Sequence, residues 1–569
     1  MPPNASRGMA ASRTSLQCDD ILFEIFQNLH PPNVQYGTPG SSKIEARKTL
    51  ARCARVCKAF LPYALDHLWW EIDSISVALK VLPVLCVTSA KEVLIENTGE
   101  WVYIELPSPS VLVRRPIAQA QLPMDNILPH ELIRYRLYAA RVHKLHVSSE
   151  VWDDVLPRIK HVTRLLGGPL FPSIEELEYS SLDPIIHLTT IFPYIAATGS
   201  SLSCLSVRTS RVTRFFWEAM QDLDVLQPII PACSGIHQLS LNGHWHSSSA
   251  ASFIGAFIHL KTIQFVGSVD SALMRTFATL PDLAELHIRV ERVETEARTS
   301  KFRSLRKFQL EGTHFATLNR FVELCECPDV QSFRVRIITE PISFVPWILF
   351  PWAFLPLLLT TIASKVSRSL RSLDVEAALP VGTTMVTLAS ILSPLRAIRT
   401  LQSIKLNTTP PFTTNYNWVV GPLHEIALGW PGLKEFQVHG GTLPNALQVI
   451  FDLVSVCPRL RIIILPKVIL SPPSELNTYG LSRHSLRVIY VGYSFAKSRK
   501  EARQVASLLN PVFPDLDVSG CEELERAGKE ALSTRRMTVW EHVLEEMGRL
   551  RRKRVLVNHE TVVFRLRRR

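Results

Sequence analysis

Side chains that could support chemistry are sparse along the 569 residues and seldom clustered. His244 and His246 flank Trp245 in NGHWHSSS, a spacing that offers two imidazoles to a metal, but no third donor follows nearby. Cys325 and Cys327 in LCECPD could be redox partners, and equally suit the small buried hydrophobe that a free cysteine commonly is. Asp19-Asp20 and Asp153-Asp154 stand where helix caps are expected rather than an acid–base pair. No phosphate-binding GxxxxGK loop, nucleophile elbow GxSxG, zinc helix HExxH or dinucleotide GxGxxG occurs in a suitable setting. No catalytic, cofactor-binding or metal-ligating residue is assigned, and no enzymatic activity is expected.

The elements that must position any site follow from composition and periodicity. Apolar residues make up 46% and charged residues 20%, a globular balance that excludes a wholly disordered chain. The net charge of +12 is uneven: nine basic residues and one acid between Arg549 and Arg569 supply +8, leaving +4 on the rest. The body is therefore not a broad phosphate-binding surface, and no nucleic-acid partner is expected. The runs RRKR (551–554) and RLRRR (565–569) suit a nuclear import signal or a solvated basic terminus equally. The ten cysteines form no CxxC pair, and MPPNASRGMAASRTS lacks the apolar stretch of a secretory signal. Reduced thiols and a cytoplasmic or nuclear location are the expectation. Residues 341–364 carry no charge, but Pro341, Pro346, Pro351 and Pro356 recur every five residues. That favours a buried connection followed by a short helix, Ala353 to Val366, over a membrane span.

Residues 19–29, DDILFEIFQNL, place Ile21, Leu22, Ile25, Phe26 and Leu29 on one helical stripe. After a Pro- and Gly-marked loop, a second helix from about Ile44 to Phe60 sets Leu50, Cys53, Val56, Cys57 and Phe60 on one face and a row of Arg and Lys on the other. LPYALDHLWWEIDSI continues an apolar face through Trp69. About 60 residues make a small core, which suits a docked partner.

The order DDILFEIF, Leu29, loop, LARCARVCKAFLPYALDHLWWEI resembles the F-box motif, most closely that of the large fungal F-box families with leucine-rich repeats. The resemblance covers about residues 16–75. It implies a three-helix unit that binds a Skp-type adaptor, and through it a cullin, with Ile21, Leu22, Ile25, Leu29, Val56, Cys57, Phe60 and Trp69 as adaptor contacts. The usual Leu-Pro start is replaced around Gln17-Cys18, and the first loop is long.

The remaining chain repeats apolar-x-x-apolar-x-apolar thirteen times, from VHKLHV (142–147) to LRVIYV (486–491), at steps of 22 to 40 residues. Amphipathic stretches such as VDSALMRTFATLPD (269–282) lie between, often ending at Pro. Strand plus helix, repeated, is the signature of a leucine-rich-repeat solenoid with a parallel concave sheet and outer helices. The expected organisation is a disordered N-terminus (1–15), the F-box-like unit (16–75), a connecting region (76–141), irregular repeats (142–495), C-terminal capping helices (496–552) and a basic tail (553–569). The connecting region includes LIRYRLYAARVHKLHV (132–147), expected to cap the first repeat.

Period-2 alternation turns one residue per strand outward: His146, Glu178, Ser206, Ser240, Gln264, His287, Gln309, Arg334, Asp374, Lys405, Gln437, Ile464 and Tyr490. The distal part, about 370–495, is the expected protein-substrate surface, with Lys405 and Gln437 beside Ile464 and Tyr490. Two functions follow: a substrate receptor of an SCF-type ubiquitin ligase, or a repeat scaffold without ligase coupling. The substrate itself is not specified.

Overall fold

The computed structural model of the chain describes residues 19–29, 41–82, 127–148, 152–181, 186–196, 201–209, 223–294, 298–338, 351–366, 368–378, 385–409, 417–469, 484–495, 499–518, 521 and 539–567. The expected disordered N-terminus, most of the first loop, the Pro-rich stretch 106–123 and Gln17-Cys18 lie outside them. The chain divides into two compact units, Met1–Gly243 and His244–Arg569, so the division falls inside the run of hexamers.

The first unit opens with helices α1 (Asp19–Asn28), α2 (Ser41–Cys53) and α3 (Phe60–Trp69). Leu22, Phe26, Leu50 and Ala64 form their core, with Leu29, Cys53, Phe60 and Tyr63 packed against it. Phe26 meets Phe60 edge-on at 5.5 Å, a favoured aromatic geometry. Next come β1 (Glu71–Ile72), α4 (Ile75–Leu79) and α5 (Pro129–Ala139), whose Glu131 carboxylate accepts the Leu128 N–H. Then β2 (Lys144–Ser148), β3 (Glu176–Ser181), β4 (Cys204–Thr209) and β5 (Gln238–Trp245) alternate with α6 (Trp152–Leu166), α7 (Ile186–Ile195) and a 3-10 helix, Leu223–Cys233. β1 to β5 pair in parallel in chain order.

In the second unit α8 (Ser247–Gly255), β6 (Thr262–Val269), α9 (Ser271–Thr279) and β7 (Glu285–Val293) lead to β8 (Ser300–Lys301), β9 (Lys307–Gly312), α10 (Phe315–Glu323) and β10 (Cys325–Glu326). β11 (Ser332–Ile337), α11 (Pro351–Val366), β12 (Ser372–Ala378), β13 (Met385–Thr387) and α12 (Leu388–Leu392) follow. β14 (Ser403–Thr409), β15 (Asn417–Val419), α13 (Leu423–Ala427), β16 (Glu435–His439), β17 (Thr442–Leu443) and α14 (Ala446–Val456) continue the alternation. β18 (Ile462–Ile469), β19 (Val488–Phe495), α15 (Arg499–Val512) and α16 (Val539–Arg567) close it. The sheet order β6-β7-β9-β11-β12-β14-β16-β18-β19 is parallel throughout. This is a leucine-rich-repeat α/β fold.

Each hexamer becomes a strand that begins two residues after its first apolar position. That first residue, from Val142 to Leu486, is buried in the core in all thirteen cases. The second position supplies the rung. The His143 carbonyl accepts the N–H groups of Glu175 and Glu176, Glu175 those of Ser203 and Cys204, and Gln331 those of Arg371 and Ser372. Each repeat thus satisfies two backbone donors of the next, which leaves the fourth and sixth residues to pack inward. The rung begins earlier than the hexamers do. The Trp70 carbonyl accepts from His143 and Lys144, and β1 pairs with β2 through Glu71↔Lys144 and Ile72↔Leu145. The end of the helical unit is therefore the strand that pairs with the edge of β2, and α5 packs against α3 and α4.

Residues 351–366 form α11, close to the expected helix; Leu355, Leu358, Leu359 and Ile362 are buried, while Phe354 and Leu357 are exposed. Thr361 donates to Asn319 at 2.8 Å, tying α11 to α10. Among the described residues no helix is long and apolar enough to cross a membrane. Over residues 496–552, the expected capping region, lie α15 and the first part of α16. Trp540, Val543, Leu544 and Met547 are buried, and the helix continues through the basic residues to Arg567.

Candidate protein-binding face

Parallel pairing in strict register carries the outward residues into rows. In the first unit His146, Glu178, Ser206 and Ser240 are successive partners. In the second unit the row runs Gln264, His287, Gln309, Arg334, Asp374, Lys405, Gln437, Ile464, Tyr490. Lys405, Gln437, Ile464 and Tyr490 are thus brought side by side. A second row, two residues further along each strand, includes Arg289, Glu311, Arg336, Glu376, Asn407 and His439. Continuing the alternation past FQLEG, RVRI, DVEA and QVH would have revealed it; reading each hexamer to its last residue cut it off.

The two rows interlock electrostatically. Arg334 lies 3.3 Å from both Asp374 and Glu376, and Arg336 lies 3.2 Å from Glu376. His287 approaches Glu311 at 3.2 Å, and Gln309 donates to the same carboxylate at 2.9 Å. Burial pushes Glu311 up, but His287, Gln309 and Arg336 together outweigh it and the net shift is down. Lys405 stands 3.4 Å from Glu435, which also accepts from Ser403 (2.6 Å) and Gln437. Burial raises Asp374, with Arg334 and Lys405 only partly offsetting it. The centre of the face is thus polar, with cations and anions interleaved. Toward β19 it turns apolar: Ile462, Ile464, Val488 and Tyr490 are half-buried, and Gln437 is nearly covered.

The first unit holds a denser cluster at the β1–β2 junction. His146 contacts Glu71 through Nε2 at 2.6 Å and Glu178 through Nδ1 at 2.9 Å. Lys43 reaches Glu71 (3.2 Å) and Asp73 (2.8 Å), Arg47 pairs with Asp73, and Arg47 also donates to the Glu71 carbonyl at 2.7 Å. Burial works against the charge on His146, but the two carboxylates outweigh it and raise its pKa to about 9. Burial likewise opposes the charge on Glu71, yet the His146 hydrogen bond and Lys43 pull it down to about 2. Glu71, Asp73 and His146 lie close enough to converge on a cation. However, both ring nitrogens already face carboxylates, and Lys43 and Arg47 occupy the carboxylates from α2. A metal requires a neutral imidazole nitrogen, so this cluster suits an internal salt-bridge network. Only His146 and Glu178 of this group were visible as outward residues, because nothing in sequence links them to 71–73.

The adaptor-contact candidates divide. Ile21, Ile25 and Val56 are 46%, 47% and 67% exposed, and Cys57 is exposed. Phe23, Ile44 and Leu61 are exposed apolar residues of the same unit, not singled out by the motif. Leu22 lies in the helical core, while Leu29 and Phe60 pack against it. Trp69 stacks on Tyr138 at 4.9 Å. The α1 stripe is two rows wide: α3 takes Leu22 and Phe26 and leaves Ile21 and Ile25 outside.

The remaining chemical candidates are structural. Cys325 and Cys327 are buried, and Cys325 donates to the Phe321 carbonyl. His246 is the N-cap of α8, its carbonyl accepting from Ala250 at 2.9 Å. Asp19 hydrogen-bonds Tyr63, which with burial raises that phenol to about 12. The side chains of His244, Asp153 and Asp154 are outside the described residues.

No protein-family profile matches the sequence, and no curated protein matches it. Among solved structures, an internalin (inlF) from Listeria monocytogenes aligns at 12% identity over 61% of this chain and 80% of its own, with a TM-score of 0.30. A Bacteroides fragilis protein aligns at 9% identity over 58% of this chain and 76% of its own, with a TM-score of 0.26. Likenesses this distant carry no functional argument.

Proposed function

We propose that this chain is a protein-interaction scaffold whose partner binds the outward rows of the second unit. The observation that carries it is the registered row from Gln264 to Tyr490, with polar and charged residues giving way to apolar ones at β18–β19. A rigid parallel sheet presents such a row without the entropy loss of ordering a loop, and a polar margin beside an apolar centre is a common interface layout. Proximity labelling by the full chain, wild type against Arg334→Ala/Lys405→Ala, tests it. Partners that disappear while the variant stays folded support the face; an unchanged set removes it.

A second reading is favoured by one observation, the exposed set Ile21, Phe23, Ile25, Ile44, Val56 and Leu61 on the helical unit. Apolar residues in such number on about 60 residues suit a docked partner. With the F-box resemblance, they support coupling to a Skp-type adaptor and hence to an SCF-type ubiquitin ligase. Co-purification of the full chain with the adaptor tests it. Ile25→Asp and Val56→Asp should abolish binding, because each buries an unpaired charge in the interface. Phe60 is a poor probe, since it packs against the core of the unit. Failure of the wild type to bind, or normal binding by both variants, leaves the scaffold reading alone.

A further inference from the structure

On the strand faces of the second unit Lys307, Arg334, Arg336 and Lys405 are held by carboxylates. A group of four cations beside α9 is not. Between α9 and residues 298–304 lies a cleft of about 860 Å³, lined by Arg275 on one wall and by Arg298, Thr299, Ser300, Lys301 and Arg303 on the other. Among the described residues no carboxylate lines it. All four cations are exposed, and none makes an ion pair among the described residues.

The walls are built, not incidental. β8 pairs with β10, and Ser300 and Phe302 donate to the Leu324 and Glu326 carbonyls at 2.8 and 2.9 Å. Phe302 is buried, so alternation along this short strand turns Lys301 and Arg303 away from the core and toward the cleft. Ser304 donates to the Pro281 carbonyl at 2.5 Å, which fixes the distance between the walls. Glu326 stands opposite Lys301 in the backbone register but makes no ion pair with it. The carbonyl end of α9 contributes roughly half a negative charge, far short of balancing four cations.

From this geometry we infer that the cleft is a binding site for a ligand bearing two or more phosphate groups. Arginine forks and hydroxyls are suited to phosphate oxygens, and concave walls strengthen a field of one sign. The volume lies within the roughly 300–1,000 Å³ typical of small-molecule sites. The inference is independent of both functional readings above. The phosphates could belong to a free small molecule or to a phosphorylated protein segment, which the experiment separates.

The full chain is titrated at physiological salt with inorganic tripolyphosphate and, separately, with a doubly phosphorylated serine peptide. At least one should bind saturably, and the tighter at equal charge identifies the source. Arg298→Glu/Lys301→Glu should weaken binding at least tenfold. Lys434→Glu/Arg459→Glu changes net charge equally at exposed positions elsewhere and should leave binding unchanged. If the cleft pair is misfolded by circular dichroism, Arg275→Glu on the opposite wall decides, with loss of binding expected. Absence of binding to both probes, or equal weakening by the control pair, overturns the site.

Discussion

Tyr490 and His146 occupy equivalent outward positions, and their surroundings give them different roles. Tyr490 follows Ile464 in register at the apolar end of the second unit's row, half-buried before any partner binds. A ring there can complete its burial against a partner while its hydroxyl stays satisfied. Tyr490→Ala is expected to weaken partner capture by roughly 1–3 kcal/mol with little change in Tm. A large fall in Tm would mark it as a packing residue. His146 stabilises the fold instead. Its pKa is raised from 6.5 to about 9, so its contribution is complete below about pH 6.5 and is lost as pH rises through 9. Glu71 is lowered from 4.5 to about 2, so the same contact is complete above 4.5 and is lost as pH falls toward 2. Wild-type stability should therefore plateau between these limits and fall on the alkaline side by on the order of 2 kcal/mol. His146→Gln should flatten that alkaline limb in urea titrations at pH 6 to 9.

Among the elements, two junctions depend on a single residue. Between β16 and β17 the chain turns through Gly440, φ +81°, where an added Cβ would overlap the Thr408 carbonyl oxygen. Both the left-handed backbone and the clash oppose a side chain, so Gly440→Ala should cost roughly 2–4 kcal/mol by chemical denaturation. At the other junction Arg551 of α16 donates to the Leu516 and Phe513 carbonyls, at 2.5 and 2.7 Å, satisfying acceptors just after α15. Arg551→Ala should cost about 1–3 kcal/mol, whereas its exposed neighbour Arg552→Ala should change stability by less than about 0.5 kcal/mol. The basic run RRKR was legible as charge, and α16 as a helix. That one of its arginines is a structural cap was not, because the carbonyls it satisfies belong to residues 35 and 38 positions away.

For the whole molecule, the two proposed surfaces belong to different units and should fail separately. Ile25→Asp is expected to remove adaptor binding while leaving capture by the second-unit face within twofold, measured on one full-length preparation. Simultaneous loss of both would point to misfolding. The positions and inward faces of all thirteen repeat strands followed from the sequence alone. Period 2 and the need to bury the first, fourth and sixth hexamer residues allow no other register. The two-row stripe of α1 was equally legible, but which row met the core was decided by the approach of α3. Tertiary structure alone brought Glu71 to His146, 75 residues away, because Glu71–Ile72 form the strand ahead of the first hexamer. It also gathered Arg275, Arg298, Lys301 and Arg303 around one cleft. Local periodicity dictates which side of an element is buried; meetings between distant charges depend on how successive elements stack, and no local pattern encodes that.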